Sequence, residues 1–250
     1  KASILLTPTA YDNGSMLSVK PENGDGDFQF SRNSAATRVN AQGLVENVQI
    51  ISDELVSNGN FSQIGTEEVS NGDFSQEGSE LVTNGDFSNG NTGWGLIGDV
   101  SISNGVATFL DSGSNTNSRL IQYPISIGNS YKVTFEVTRY VNGRVQVFLG
   151  GGTTISVDIS SGVGTYTIYG VSSGSSQFEL KRNGSYPNFD FDIDNVSVKE
   201  VGQDWNLGNK WSIGENSAIR VPNSTSNLSQ VISGISGKTI KVSYTVSNYI

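Results

Sequence analysis

The chain has 250 residues, 35% of them apolar and 30 of them glycine, with neither Cys nor His. That excludes disulfides, thiolate or imidazole metal sites, and every catalytic dyad or triad built on a histidine base. The net charge is −9, and seven of the 24 acidic but none of the 15 basic residues fall in 51–83, a balance that disfavours a nucleic-acid partner, whose phosphates need clustered Lys and Arg. No run approaches the roughly 20 apolar residues of a membrane-spanning helix, the N-terminus has no signal-peptide core, and no window sustains a 3.6-residue period. The expected class is all-β.

Residues 1–50 offer short strand candidates at Ala2–Thr7, Ser15–Val19, Asp27–Arg32 and Leu44–Ile51, with Phe28 and Phe30 alternating with polar neighbours. So few large apolar residues are not expected to fold alone. The run Ser31-Arg-Asn-Ser-Ala-Ala-Thr-Arg-Val-Asn40, followed by Gly43-Leu-Val-Glu46, resembles a segment at the start of virion structural and fibre proteins of tailed bacteriophages. The resemblance implies that residues 1–50 attach the chain to a virus particle through other virion proteins.

Residues 51–83 lead with a 13-residue repeat. Val56, Val69 and Val82 stand in step, as do Phe61, Phe74 and Phe87, around Asn-Gly pairs at 58, 71 and 84. Each unit is expected to be a short hairpin closed by a type I′ turn, since both central residues of that turn need φ > 0. Units with so few apolar side chains cannot offset their ordering entropy, about 1–2 kcal/mol per residue. They must therefore stack on neighbours or on other copies. This predicts a tandem-repeat β stalk over 51–83 in an oligomer, with a homotrimer the expectation for a fibre. The carboxylates of such a stalk must point outward or hold cations.

From residue 84 to 201 strand candidates come evenly: Asp99–Ser103, Val106–Leu110, Ser118–Ile127, Tyr131–Tyr140, Arg144–Leu149, Thr153–Ile159, Thr165–Val171, Gln177–Arg182 and Phe189–Lys199. Three links are Asn-Gly, at 104, 142 and 183. Short strands with period-2 patterning predict a β-sandwich. In the last one Phe189, Phe191 and Ile193 share a face, but Val196 and Val198 continue one residue out of step, so a β-bulge is expected near Asp194-Asn195.

The opening Asn84-Gly-Asp-Phe87, Trp94 and the closing Phe191-Asp-Ile-Asp-Asn-Val-Ser-Val198 resemble the jelly-roll carbohydrate-binding modules and galactose-binding-like domains. The resemblance implies a jelly roll with its first and last strands side by side, a packing role for Trp94, and a structural calcium held by Asp194 with Asp86. The family often has Glu after the opening Phe, where this chain has Ser88. The alternative is that Asp86 and Asp194 are turn and bulge residues bonded to backbone N–H groups. The row Asp190, Asp192, Asp194 reads as the wet side of a sheet.

Lys132-Val-Thr-Phe-Glu-Val-Thr138 matches Lys241-Val-Ser-Tyr-Thr-Val-Ser247, so residues 202–250 are expected to start a second sandwich, incomplete at Ile250, with Trp205 packing as Trp94 does. Half a sandwich exposes its edges, which points to a longer protein.

Sugars are held by aromatic faces flanked by directed donors. Tyr140 and Arg144 around Asn142-Gly143, with Arg119, Gln122 and Tyr186, are the candidates for such a patch, set against the alternative that they are scattered surface residues. No carboxylate pair stands out as glycosidases require, so no catalysis is expected. The function expected is a virion appendage, a fibre of a tailed phage, made in the host cytoplasm, anchored by its N-terminus and projecting jelly-roll modules toward host-surface glycan. Two alternatives are a secreted or cell-surface glycan-binding part of a bacterial polysaccharide-degrading protein, and an architectural head or neck decoration.

Overall fold

The computed structural model describes residues 8–12, 15–18, 28–29, 37–47, 56–113, 117–151, 153–223 and 225–248, none of them helical. Lys1–Gly65 and Thr66–Ile250 form two compact units. In the first, β1 (Pro8–Asp12), β2 (Ser15–Ser18) and β3 (Phe28–Gln29) make an antiparallel sheet, and β4 (Thr37–Val39) pairs with β5 (Val45–Asn47). The strand expected at 2–7 and residues 31–36 of the virion-like run lie outside the described residues.

The second unit is built on a sandwich. One sheet has the order β13 (Thr153–Val157), β12 (Val145–Leu149), β15 (Phe178–Arg182), β10 (Arg119–Gln122), β7 (Gly95–Ile97). The other has β14 (Gly164–Val171), β11 (Ser130–Asn142), β16 (Asp190–Val201), β9 (Val106–Leu110), β8 (Val100–Ser103), with β6 (Glu77–Glu80) also on β16. Alternation drives the layering: Tyr131, Val133, Phe135 and Val137 of β11 are buried while Lys132, Thr134 and Glu136 between them are half-exposed. They meet Val145, Val147 and Leu149 of the facing sheet in one core. The sheets approach so closely at Gly170 that a Cβ there would lie 2.7 Å from Leu149 Cδ1.

The bulge is where the broken phase puts it. Thr134 opposes Ser197 and Glu136 opposes Asp194, so Asn195 and Val196 together face Phe135. Asn195 takes a φ of 50°, a left-handed conformation that Asn tolerates better than most residues.

Asn-Gly behaves differently from expectation at most of its positions. Among the described residues, only at 104–105, where β8 and β9 pair directly, do both residues take positive φ. At 142–143 the chain passes between sheets instead of turning within one.

In the three repeats the type I′ hairpin is replaced by another loop. Asn58, Asn71 and Asn84 are left-handed, and so are Phe61, Phe74 and Phe87, while the glycines are not. The Phe N–H bonds back to the Asn carbonyl in each unit. The Asn side chain Oδ1 accepts the N–H five residues on, from Gln63, Gln76 and Asn89. Side-chain bonding inside the loop thus outweighs the intrinsic turn preference of Asn-Gly.

Two of these loops pack on tryptophans further along the chain. Phe87 lies 5.5 Å from Trp94, whose indole Nε1–H donates to the Asn84 carbonyl at 2.9 Å. Phe74 lies 5.2 Å from Trp205, whose Nε1–H donates to the Asn71 carbonyl at 2.9 Å. Gln122 clamps the Thr83 backbone from both sides, accepting its N–H and donating to its C=O. Gln230 holds the Ser70 backbone in the same way. The second and third repeats thus pack their Phe on tryptophans of their own chain, Phe87 buried and Phe74 half-buried, which weakens the packing argument for a shaft of stacked copies. The third repeat also runs along β16, where the Leu81 N–H donates to the Val198 carbonyl and the Val196 N–H to the Gly85 carbonyl.

Beyond β16, β17 (Asn206–Leu207) pairs with β20 (Leu228–Ser229), and β18 (Trp211–Gly214) with β19 (Ser217–Arg220). Lys241–Ser247, expected as a strand, is not one: Val242, Tyr244 and Val246 are exposed. Its counterpart β11 is held between β14 and β16, both later in sequence, and among the described residues nothing pairs with 241–247.

Two predictions follow from the repeat contacts. A Cβ on Gly85 would sit 1.9 Å from the Val196 carbonyl oxygen, whereas on Gly72 and Gly59 its nearest neighbours would be the Val69 and Val56 side chains at 3.4 and 3.5 Å. Gly85→Ala should destabilise by about 2 kcal/mol or more, with Gly59→Ala and Gly72→Ala near neutral, by denaturant unfolding. Gln122→Ala strands two backbone groups and should cost about 1–3 kcal/mol in the same assay.

Candidate functional site

Side chains that alternate with the core residues of the five-stranded sheet point away from the core. Register sets them in rows. Gln146 stands opposite Ser156 on one side and Lys181 on the other, and Lys181 is followed by Arg119. In the adjacent row Phe148 lies between Thr154 and Glu179, and Glu179 is followed by Ile121. Arg144 and Asp158, each one residue outside its strand on the far side of the first row, are joined by an ion pair of 2.8 Å.

Electrostatics hold this face together. The Arg119 guanidinium lies 3.0 Å from the Glu179 carboxylate, as an ion pair without hydrogen-bond alignment at Nε, and Gln177 Nε2 donates to the same carboxylate. Lys181 Nζ sits 5.2 Å from the Phe148 ring centre, and the Arg144 guanidinium 4.5 Å from that of Tyr186. Such cation–ring contacts contribute about 0.5–1 kcal/mol at exposed sites. Gln146 Nε2 and Asn183 Nδ2 both donate to the Ser156 hydroxyl. The Asp158 carboxyl is held below its ordinary range, chiefly by the Ser160 hydroxyl and N–H and further by Arg144. The result is two rings, each carrying a cation, beside amides and hydroxyls, a chemistry suited to the C–H faces and hydroxyls of a sugar.

The five residues proposed from sequence divide. Arg119, Arg144 and Tyr186 belong to this face. Tyr140 lies on β11 of the other sheet, its hydroxyl bonded to the Gly143 carbonyl. Gln122 is buried and both ends of its amide are used on Thr83, so it is not free for a ligand. Sequence reasoning missed Phe148, Gln146, Lys181 and Glu179; the alternation of Phe148 with Val147 and Leu149 was the one available signal.

Asp86 and Asp194 share one neighbourhood. The Asp86 carboxyl is lowered by the Ser88 N–H and hydroxyl, both of which donate to it. The Asp194 carboxyl is raised, first by burial and then by the like charges of Glu136 and Asp86, against the opposing bond from the Asn195 N–H. The pair supplies negative charge in need of relief, but a calcium shell takes six to eight oxygens, and among the described residues no three acids cluster closely enough to hold a metal. Asp190 and Asp192 are tied to Arg139 at 2.6 and 2.9 Å.

No family model matches this sequence, and no curated protein matches it. Among solved structures, the chain is similar to a family 4 carbohydrate-binding module (15% identity over 52% of this chain and 98% of that one, TM-score 0.33). It is also similar to the tandem family 22 carbohydrate-binding modules of Paenibacillus barcinonensis Xyn10C (12%, 56% and 58%, TM-score 0.37). A third similar structure is the enzymatically active domain of tailspike protein 4 of bacteriophage CBA120 (16%, 48% and 21%, TM-score 0.34). The chain spans 27% of an α-L-arabinofuranosidase that it also resembles and 21% of that tailspike. Likenesses at these scores concern about half of the chain and identify neither a family nor a ligand.

Proposed function

We propose that the sandwich is a non-catalytic glycan-binding module whose ligand lies on the outer face of the five-stranded sheet. The observation that carries the reading is the pairing on that face of Phe148 with Lys181 and of Tyr186 with Arg144, across from Gln146. Rings offer stacking surface and the nearby cations and amides offer directed donors. The acids of the face, Glu179 and Asp158, are each held by an arginine. Such neutralised carboxylates serve to position; a glycosidase instead needs one carboxyl kept protonated.

The carrier in this reading is a virion appendage of a tailed phage, supported by the resemblance of Ser31–Glu46 to phage structural proteins. A single shallow face binds weakly, and many copies on one particle raise the effective concentration, so that millimolar contacts suffice. Native mass measurement tests the carrier: three copies are expected of a fibre, one of a cell-surface glycan-binding module.

Glycan-array screening of the full chain, displayed at high valency, tests the ligand, and absence of any binding overturns the reading. For a glycan that binds, Phe148→Ala should weaken affinity about tenfold, which is about 1.4 kcal/mol. Tyr140→Phe, on the other sheet, should leave it unchanged.

The reading keeps a structural calcium at Asp194 and Asp86, completed by backbone carbonyls. It is supported by the raised Asp194 carboxyl, since a cation would relieve the burial and repulsion that raise it. A carboxyl raised in the folded state favours folding fully below its unfolded pKa, and that contribution is lost as pH rises through the folded value. At pH 7 the ionised group therefore costs stability unless a cation is bound. Calcium should raise the melting temperature of the wild type. In chelator, Asp194→Asn should melt above the wild type, and it should gain nothing from calcium; an equal gain in both proteins would remove the site.

A further inference from the structure

The second and third repeats share one set of docking contacts, to which the third adds its bonds to β16. Besides the indole, ring and glutamine contacts, Asn84 Nδ2 donates to the Thr92 carbonyl and Asn71 Nδ2 to the Gln203 carbonyl, each two residues before its tryptophan. Glu80 Oε1 accepts the N–H groups of Leu81 and Val82, and Glu67 Oε1 those of Glu68 and Val69. Each repeat is therefore the opening piece of a module whose body lies elsewhere in the chain. The pairing is nested. The last repeat serves the body that begins with Trp94, and the repeat before it serves the body that begins with Trp205.

The first repeat has the same loop ready. Asn58 Oδ1 accepts the Gln63 N–H, Phe61 N–H donates to the Asn58 carbonyl, and Asn60 caps Ser62. Both Asn58 and Phe61 take the left-handed conformation of their counterparts. Yet Phe61 is 89% exposed, where Phe87 is 1% exposed. The chain has three tryptophans. Trp94 and Trp205 are engaged by the later repeats, and the Trp211 indole donates to the Ser226 carbonyl. No indole among residues 1–250 is left for the Asn58 carbonyl.

We propose that the first repeat is the seat of a third body of the same build, which presents a tryptophan to Asn58 and Phe61 and a glutamine to the Ser57 backbone. Continuing the nested order places that body after the second one in the same polypeptide, C-terminal to residue 250. The repeats are then a row of sockets, each specifying one module.

The full chain tests whether the first repeat is a socket. With 5-fluorotryptophan incorporated, three fluorine resonances report the three indoles, assigned by single Trp→Phe replacements. Phe74→Asp expels the second repeat from Trp205. If the first repeat is equivalent, it takes the vacated place, and the Trp205 resonance stays at its docked position in Phe74→Asp but moves to the solvent-exposed position in Phe61→Asp/Phe74→Asp. A Trp205 resonance that is the same in both variants overturns the proposal. The source is tested by the reading frame beyond codon 250. A tryptophan followed some 25–28 residues later by glutamine is expected, the spacing of Trp205 to Gln230 and Trp94 to Gln122. A continuation without that pair, or a wild-type dimer that Phe61→Asp returns to monomer, overturns the placement in the same polypeptide.

Discussion

The structure turns on one half-buried hydrogen bond, from the Trp94 indole to the Asn84 carbonyl. It exists because Asn84 and Phe87 adopt left-handed conformations that aim the carbonyl and the ring at the same indole. Residues with a side chain seldom take that conformation, and a Phe there is unusual. The loop holds it by spending the Asn84 side chain on the backbone that follows and by burying Phe87 completely. With the loop fixed, Gly85 is pressed against the bulge of β16, Glu80 reaches the Val198 N–H and Ser197 hydroxyl, and the first and last strands of the sandwich lie together.

What the sequence revealed was whatever a single strand carries on its own. The alternation in Tyr131–Val137 and the slipped phase after Ile193 are local patterns with one physical cause, the two-sided pleat, and both appear where expected. The repeats were legible as repeats but not as sockets. Their partners, Trp94 and Trp205, lie ten and 134 residues from the asparagines they bond, and nothing in a 13-residue period names a distant indole. The same limit applied to Asn-Gly, whose turn preference held, among the described residues, only at 104–105, where neighbouring strands reinforced it.

The outer face of the five-stranded sheet was only half legible for a related reason. Its rows draw one residue from each of several strands, and strands that are neighbours in space, such as β10 and β15, are far apart in sequence. Arg119, Arg144 and Tyr186, which the structure places on this face, stood out in the sequence because their side-chain chemistry is conspicuous. Gln146 and Lys181 become meaningful only once register sets them side by side.

The two outer faces of the sandwich differ in what they have left to offer. On the six-stranded sheet, Arg139 is locked to Asp190 and Asp192, and Glu77 bridges Lys132 and Lys199. The opening segment pairs along β16 of this sheet. Hydrogen bonds from both lysines hold the Glu77 carboxyl below its ordinary range, as expected of a group serving the fold. On the five-stranded sheet Arg119 and Arg144 are also paired with carboxylates, but Lys181 lies over Phe148 and Arg144 over Tyr186, and a ring shared with a cation keeps an exchangeable surface that a carboxylate bridge alone does not. Under the proposed function, docking of the opening segment and recognition of a ligand would fall on opposite sides of one core, so that modules could be added in series without covering the face proposed to meet a ligand.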